Sequence, residues 1–220
     1  MIVAIDGPAG AGKSTVARKL AARLGIGYLN TGSMYRALTL LALKGGVALD
    51  DEVALATLAR THMIGLTASP RGDRVSLDGE DVTDDVRLPS VTEAVSHVAV
   101  HRAVRAEIVA LQQGVLTVGD WVADGRDIGS VVCPSADLKV FLTAAPEVRA
   151  ERRHAELAAG GDEVALGDVL QDITRRDAID STRVESPLVV APGAVVIDSS
   201  GLSIDEVVER ISALVGGGNT

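Results

Sequence analysis

Residues Gly7-Pro8-Ala9-Gly10-Ala11-Gly12-Lys13-Ser14-Thr15 directly follow the apolar run Ile2-Val3-Ala4-Ile5, and they fit the phosphate-loop pattern GxxxxGK[ST] with Gly7, Gly12, Lys13 and Ser14 in register. The pattern constrains the fold as much as the chemistry. A loop that wraps a polyphosphate needs positive φ angles and an unobstructed backbone, so that its N–H groups can point inward at the oxygens. A strand must lead into it and a helix out of it. Val16, Ala17, Leu20, Ala21 and Leu24 recur at helical spacing behind the loop, and Gly25 supplies a stop. In such a unit Lys13 meets the β- and γ-phosphates of a nucleotide, Ser14 offers a hydroxyl to Mg²⁺, and the helix adds its positive dipole end. Residues 7–15 are therefore the expected ATP site. A chance match in a chain of this length is on the order of one per cent.

Later runs rich in β-branched or bulky residues, Trp121-Val122-Ala123, Lys139-Val140-Phe141-Leu142 and Ala194-Val195-Val196-Ile197, alternate with helical stretches. This alternation predicts an α/β fold of three layers, a central parallel sheet covered by helices on both faces, with ligands at the carboxyl ends of its strands. The chain's 220 residues, 47% of them hydrophobic, suffice for one such domain with appendages.

Residues 62–86 break the rhythm. They read as short strands, Ile64-Gly65-Leu66-Thr67 and Arg74-Val75-Ser76-Leu77, punctuated by Ser69-Pro70-Arg71-Gly72-Asp73 and Asp78-Gly79-Glu80-Asp81. A small antiparallel insertion is expected there. One long helix is expected over residues 90–113, where Val91, Ala94, Val95, Val98, Val104, Ile108 and Leu111 supply much of the apolar content. Residues 147–157 and 164–176 are helical patterns around Ala159-Gly160-Gly161-Asp162, which resembles a hinged helical hairpin or lid. The expected division is a core of residues 1–61, 99–145 and 185–220, an inserted subdomain at 62–98, and a lid with the following acceptor segment at 146–184. The tail 216–220 reads as disordered.

A net charge of −9 and a pI near 4.9 argue against a partner that is a nucleic-acid polymer. Arginine outnumbers lysine 17 to 4, but genome composition can produce that bias, so only the position of individual arginines counts. Cys133 is the single cysteine, which leaves no disulfide framework; it reads as a buried apolar filler. Without a secretory signal pattern or an apolar run of ~18 residues, the expectation is a cytoplasmic enzyme with no membrane partner, acting as a monomer.

A phosphate loop leaves the acceptor open, and four further segments bear on it. Asn30-Thr31-Gly32-Ser33-Met34-Tyr35-Arg36 places a hydroxyl and an arginine at the start of a helix, where an anion is favoured. Asp124-Gly125-Arg126-Asp127 sits just beyond the strand Trp121-Val122-Ala123. Arg175-Arg176-Asp177 and Asp180-Ser181-Thr182-Arg183 follow the lid, and Ser96 and Arg105 lie in the long helical segment.

With these segments the chain resembles the bacterial cytidylate kinases of the nucleoside monophosphate kinase group. The likeness runs from IDGPAGAGKST through TGSMYR, the insertion and VADGRDIGSVV to the Arg-Arg-Asp lid end and the closing IDSSGLSIDEVV. Asn30 and Ser33 depart from it, standing where Asp and Ala are expected. The resemblance implies that Thr31, Arg36, Ser96, Arg105, Arg126, Asp127, Arg176, Asp180 and Arg183 line a CMP site. The chemistry of the ligand agrees. Guanidinium forks at Arg36, Arg126 and Arg183 suit the α-phosphate. The exocyclic amine of cytosine needs acceptors, Asp127 and Ser96, while its N3 and O2 suit Arg105. Arg176 and Asp180 are left for the sugar. Arg152 and Arg153 are candidates to reach the donor phosphates on lid closure.

The implied reaction is phosphoryl transfer from ATP, with Mg²⁺, to CMP or dCMP, with Lys13, Arg126, Asp127, Arg152 and Arg153 as the catalytic set. The attacking phosphate is already mostly a dianion at pH 7, so no general base is required. The rivals are a kinase of UMP, dTMP or a small alcohol, the last needing a base near the loop, and a nucleotide-binding switch. A guanine-specific switch would carry an Asn/Thr-Lys-x-Asp segment, which this sequence lacks.

Overall fold

The strand Ile2–Asp6 (β1) is buried along all but its first residue, as expected of a strand covered on both faces. It lies at the centre of a five-stranded parallel sheet in the computed structural model, which describes residues 1–67 and 74–217. Next come α1 (Lys13–Leu24), β2 (Gly27–Asn30), α2 (Thr31–Lys44), α3 (Glu52–Thr61), β3 (Ile64–Thr67), β4 (Arg74–Leu77) and β5 (Glu80–Asp81). They are followed by α4 (Pro89–Val98), α5 (Arg102–Leu116), β6 (Trp121–Gly125), β7 (Leu138–Thr143), α6 (Pro146–Ala159), α7 (Leu166–Thr182), β8 (Val195–Asp198) and α8 (Ile204–Gly217).

The parallel order β2-β6-β1-β7-β8 puts the carboxyl ends of β1 and β6 side by side, with Asp6 paired to Gly125 and Ile5 to Asp124. Alternation along β1 sends Val3 and Ile5 into a core shared with Val16, Leu20, Val207 and Ile211 of α1 and α8. Ala4 points the other way, into a core with Leu38, Leu55, Val104 and Ile108 of α2, α3 and α5. Helices thus cover both faces, as the alternation predicts. Strand β2 is not legible in the pattern, being four residues bounded by Gly27 and Asn30. Strand β6 runs through Asp124 and Gly125 rather than ending at Ala123, because its pairing with β1 continues to Asp6.

The expected insertion is a three-stranded antiparallel sheet, β3-β4-β5, with Ile64 opposite Leu77 and Thr67 opposite Arg74. Asp78 and Gly79, both at positive φ, turn β4 into β5. The anticipated turn at residues 69–73 lies outside the described residues. Val75, Leu77, Val82 and Val86 are buried in the same core as α2, so the insertion packs on the main body.

Residues 90–113 form two helices instead of one. The apolar residues that supply the pattern skip from Val98 to Val104, off the three- to four-residue helical spacing, so the sequence carries a weak local sign of a break but does not fix it. Tertiary bonds do: the His101 ring bonds the Leu49 carbonyl at 2.7 Å and the Ala103 N–H donates to Glu52 Oε1 at 2.6 Å. A continuous helix would hold residues 96 and 105 some ~13.5 Å apart along its axis. The break lets Ser96 and Arg105 face one cavity. The lid helices α6 and α7 run longer than expected and share a small core of Ala150, Val169 and Ile173. Gly216 and Gly217 close α8 instead of starting a disordered tail, and residues 218–220 lie outside the described part. Cys133 is half-buried against the α2-side core, not fully buried.

Candidate active site

The phosphate loop fits between β1 and α1 because its glycines accept positions closed to other residues. Gly7 has φ +150°, and a Cβ there would lie 1.9 Å from the Leu142 carbonyl oxygen. Gly12, at φ +85°, opens α1. Lys13 is buried and donates Nζ to the Pro8 carbonyl at 2.7 Å. Burial, then the nearby Arg126, pushes its pKa down to about 7 against the pull of Asp124, Asp180 and Asp6.

Ser14 donates its hydroxyl to Asp124 Oδ2 at 2.8 Å, and Asp124 Oδ1 accepts from the Tyr28 hydroxyl at 2.8 Å. The Asp124 carbonyl accepts from the Thr31 hydroxyl at 2.7 Å. A hydroxyl beside a carboxylate is an oxygen donor set suited to Mg²⁺, which takes one or two protein oxygens and completes its shell from phosphates and water. Asp124 was not among the site residues read from sequence; the available signal was a carboxylate at the carboxyl end of a strand. Asp6, at the end of β1, accepts from the Ile128 and Gly129 N–H groups at 2.7 and 2.8 Å. Burial raises its pKa to about 6, and those two bonds offset only part of the shift.

A cavity of about 560 Å³ opens over these strand ends. Ala9, Gly10, Gly12, Lys13, Ser14 and Thr15 line it at the loop. Gly7, Pro8 and Ala11 do not: Gly7 backs onto Leu142, the Pro8 carbonyl accepts from Lys13, and the Ala11 carbonyl accepts from the Ser199 hydroxyl at 3.4 Å. The nine acceptor residues read from sequence also line it: Thr31 and Arg36 from α2, Ser96 from α4, Arg105 from α5, Arg126 and Asp127 after β6, Arg176 and Asp180 from α7, and Arg183 just past that helix. Arg153 reaches the cavity while bonding Glu156 at 3.1 Å. Arg152 turns away, donating to the Ser199 hydroxyl and carbonyl at 3.1 and 2.6 Å. Arg87 and Thr92, which no motif had marked, also line the cavity, as does Tyr35, which lies within the TGSMYR segment but was given no role.

Eight of the chain's arginines line this cavity, although the chain as a whole is acidic. That distribution answers what composition left open. Arg36 donates to the Thr92 hydroxyl at 2.6 Å, and burial, then Arg176 and Arg126, bring its pKa down to about 10. Arg126 donates Nε to Asp180 at 2.8 Å. Burial opposes charge on both partners, yet the pairing keeps the Asp180 carboxyl below its usual range and the Arg126 guanidinium above its own. Arg105 is paired with Asp127, with its guanidinium 5.4 Å from the Tyr35 ring centroid. Arg183 donates to the Ser186 carbonyl at 2.6 Å and lies 3.6 Å from Asp180 and 4.0 Å from Asp127. Most of the arginines thus carry partial partners and keep donors free for an anion. Asn30 keeps the helix-capping role, its side-chain oxygen accepting from Ser33 N–H at 3.1 Å, so the capping bond is retained without Asp.

Fold and site together define a phosphate-loop kinase architecture. A protein of undescribed function from Eubacterium ventriosum ATCC 27560 superposes with a TM-score of 0.54 at 12% identity over 99% of both chains. Shikimate kinase from Bacteroides thetaiotaomicron does so with a TM-score of 0.50 at 12% identity over 98% of both. At such identities the likeness concerns the fold alone. The cytidylate kinase family model matches residues 3–216. A cytidylate kinase from Pelotomaculum thermopropionicum is 50% identical over 217 residues, 98% of this chain and 96% of that one. Another, from Geobacillus sp. (strain WCH70), is 52% identical over 213 residues, 97% and 95% of the two chains. The chain belongs to the cytidylate kinase family.

Proposed function

We propose that this enzyme transfers the γ-phosphoryl group of ATP to CMP or dCMP, giving ADP and the corresponding diphosphate. The observation that carries the reading is one cavity lined both by the phosphate loop and by the Arg105–Asp127 pair among further arginines. The loop's backbone N–H groups and Lys13 hold the donor phosphates, whose negative charge restores the ammonium that burial disfavours. Ser14 and Asp124 would hold Mg²⁺ beside those phosphates, and the chemistry it would supply when bound is neutralisation of charge on the transferring group.

Arg36, Arg126 and Arg183 grip the acceptor phosphate, Asp127 and Ser96 accept from the cytosine amine, and Arg105 donates to N3 and O2. Arg176 and Asp180 serve the sugar. Catalysis then rests on alignment of acceptor and donor and on preorganised positive charge, with no proton abstraction required. The units that do this are a core of residues 1–61, 99–145 and 185–220, an acceptor-side insertion at 62–98, and a lid segment at 146–184 whose closure excludes water and carries Arg153 toward the donor. The proposed enzyme is a cytoplasmic monomer; among the described residues no helix is long and apolar enough to cross a membrane.

Steady-state ADP production with CMP, dCMP, UMP and AMP tests the reading. CMP- or dCMP-dependent turnover well above that with UMP and AMP supports it. A preference for UMP or AMP, or hydrolysis indifferent to acceptor, overturns it.

A further inference from the structure

Arg149, in the first turn of α6, is absent from the cavity yet 4% exposed, so its charge is almost wholly withdrawn from water. Its Nε donates to the Ala144 carbonyl and its Nη1 to the Ala9 carbonyl, both at 2.9 Å. Nη1 also lies 2.7 Å from Asp177 Oδ2. The packing beside it is close: a Cβ on Gly10 would sit 3.1 Å from Arg149 Cβ. Asp177 stands on α7 next to Arg176 and three residues before Asp180, both of which line the acceptor half of the cavity. One guanidinium therefore joins the phosphate loop to the helix that carries acceptor residues.

The peptide between Ala9 and Gly10 gives that junction its consequence. In a trans peptide the carbonyl and the following N–H point in opposite directions. Holding the Ala9 carbonyl against Arg149 thus aims the Gly10 N–H the other way, and Gly10 lines the cavity at the donor end. Helix α7 is a rigid rod at this scale, so a ligand that draws Arg176 and Asp180 inward also moves the Asp177 carboxylate.

We propose that Arg149 and Asp177 are a positioning pair which couples occupancy of the acceptor half to the aim of the phosphate loop. The inference rests on the kinase reading above. Neither residue touches substrate; each acts through the loop peptide and α7. Coupling of this kind is reciprocal and spans roughly 5- to 150-fold in affinity.

Titration calorimetry of CMP, with and without a saturating non-hydrolysable ATP analogue and Mg²⁺, tests it. For the unaltered protein the CMP Kd is expected to fall at least about fivefold when the analogue is present, and the analogue's Kd to fall by the same factor with CMP. Asp177→Asn keeps shape and an acceptor oxygen but removes the charge. It is expected to reduce that factor below about twofold while the CMP Kd without analogue moves by less than about threefold. Arg149→Lys, which keeps charge but replaces two separate donor nitrogens in a planar fork by one, is expected to do the same. A purely structural role would weaken both ligands and leave their ratio intact. Full coupling in Asp177→Asn, or none in the unaltered protein, overturns the inference. Failure of the unaltered protein to bind CMP under either condition would overturn the kinase reading itself, and the inference with it.

Discussion

Arg105 donates Nη2 to Asp127 inside the acceptor half of the cavity, with the side chains only 4% and 7% exposed. Arg105 Nε has no hydrogen-bond partner within the protein, and Arg183 approaches the second Asp127 oxygen from 4.0 Å. The pair therefore presents donors and an acceptor side by side in a nearly dry setting. One edge of cytosine offers the complementary set, an amine next to N3 and O2.

Base selection is expected to follow from that pair. Uracil puts a carbonyl where cytosine puts an amine, so Asp127 attracts one and repels the other, and CMP is expected over UMP by roughly 10² to 10⁴ in kcat/KM. Asp127→Asn removes the charge and adds an amide donor that can turn toward the uracil carbonyl. It is expected to lower CMP use sharply and narrow the CMP/UMP ratio, with Ser96→Ala doing so more mildly. Equal loss for both substrates in kinetics of Asp127→Asn would assign the residue to phosphate binding or to holding Arg105.

Arg36 is held by the Thr92 hydroxyl of α4 at 2.6 Å and bonds no loop residue, so its loss should be felt on the acceptor side. Arg36→Ala is expected to weaken CMP use by about 2 to 3 kcal/mol, as for a charge-assisted contact to phosphate. ATP affinity should be unchanged. A variant that lost ATP and kept its KM for CMP would refute the division of the cavity into donor and acceptor halves at this residue.

Lys13 gives a pH dependence of defined sign. Its folded pKa of about 7 lies below the ordinary 10.5, so between those values the unfolded chain holds a proton that the folded chain does not. Stability of the ligand-free protein therefore rises with pH across that window, and below it the buried charge costs on the order of 4 kcal/mol. Lys13→Met should melt higher than the unaltered protein at pH 7, with the gap closing toward pH 10.5. The same variant should lose on the order of 10³-fold in turnover. Thermal melts without nucleotide check the first half; a lower melting temperature for Lys13→Met at pH 7 would show that the charge is favourable in the free loop.

Asp124 bonds both Ser14 and Tyr28, but only the first bond concerns the ion. Asp124→Asn is expected to raise the Mg²⁺ concentration for half-maximal activity by roughly 10- to 100-fold, the range for a lost supporting partner at a metal site. Tyr28→Phe, which removes the other bond, should leave that concentration nearly unmoved. Equal shifts in Mg²⁺ titrations of the two variants would mean that Asp124 matters for packing at the β2–β6 edge.

Much of the site was legible because its signals are local. The loop at residues 7–15 depends on glycines and a lysine at fixed spacing, and the bounds of β3 and β4 fell where the alternation placed them. The nine residues assigned to the acceptor through the resemblance all line the cavity. Asp124 was missed as a site residue because nothing near it in sequence reveals that its carboxylate meets Ser14, 110 positions away. Arg149 was missed for a related reason: as a charged residue on a helix it reads as solvent-facing, yet it is buried against the loop and Asp177.

By itself the sequence determined the strand–loop–helix unit, the alternation that makes a doubly covered parallel sheet, and the residue types able to handle phosphate. Those follow from backbone preferences and periodicity, which act over a few residues. Only the tertiary structure decided that residues 90–113 break at Ala99 to His101, that Arg153 faces the cavity while Arg152 turns to Ser199, and which carboxylate answers each arginine. Such outcomes depend on groups far apart in the chain competing for the same partners in a space of low dielectric. There a buried charge must find its counterpart wherever the fold brings one within reach.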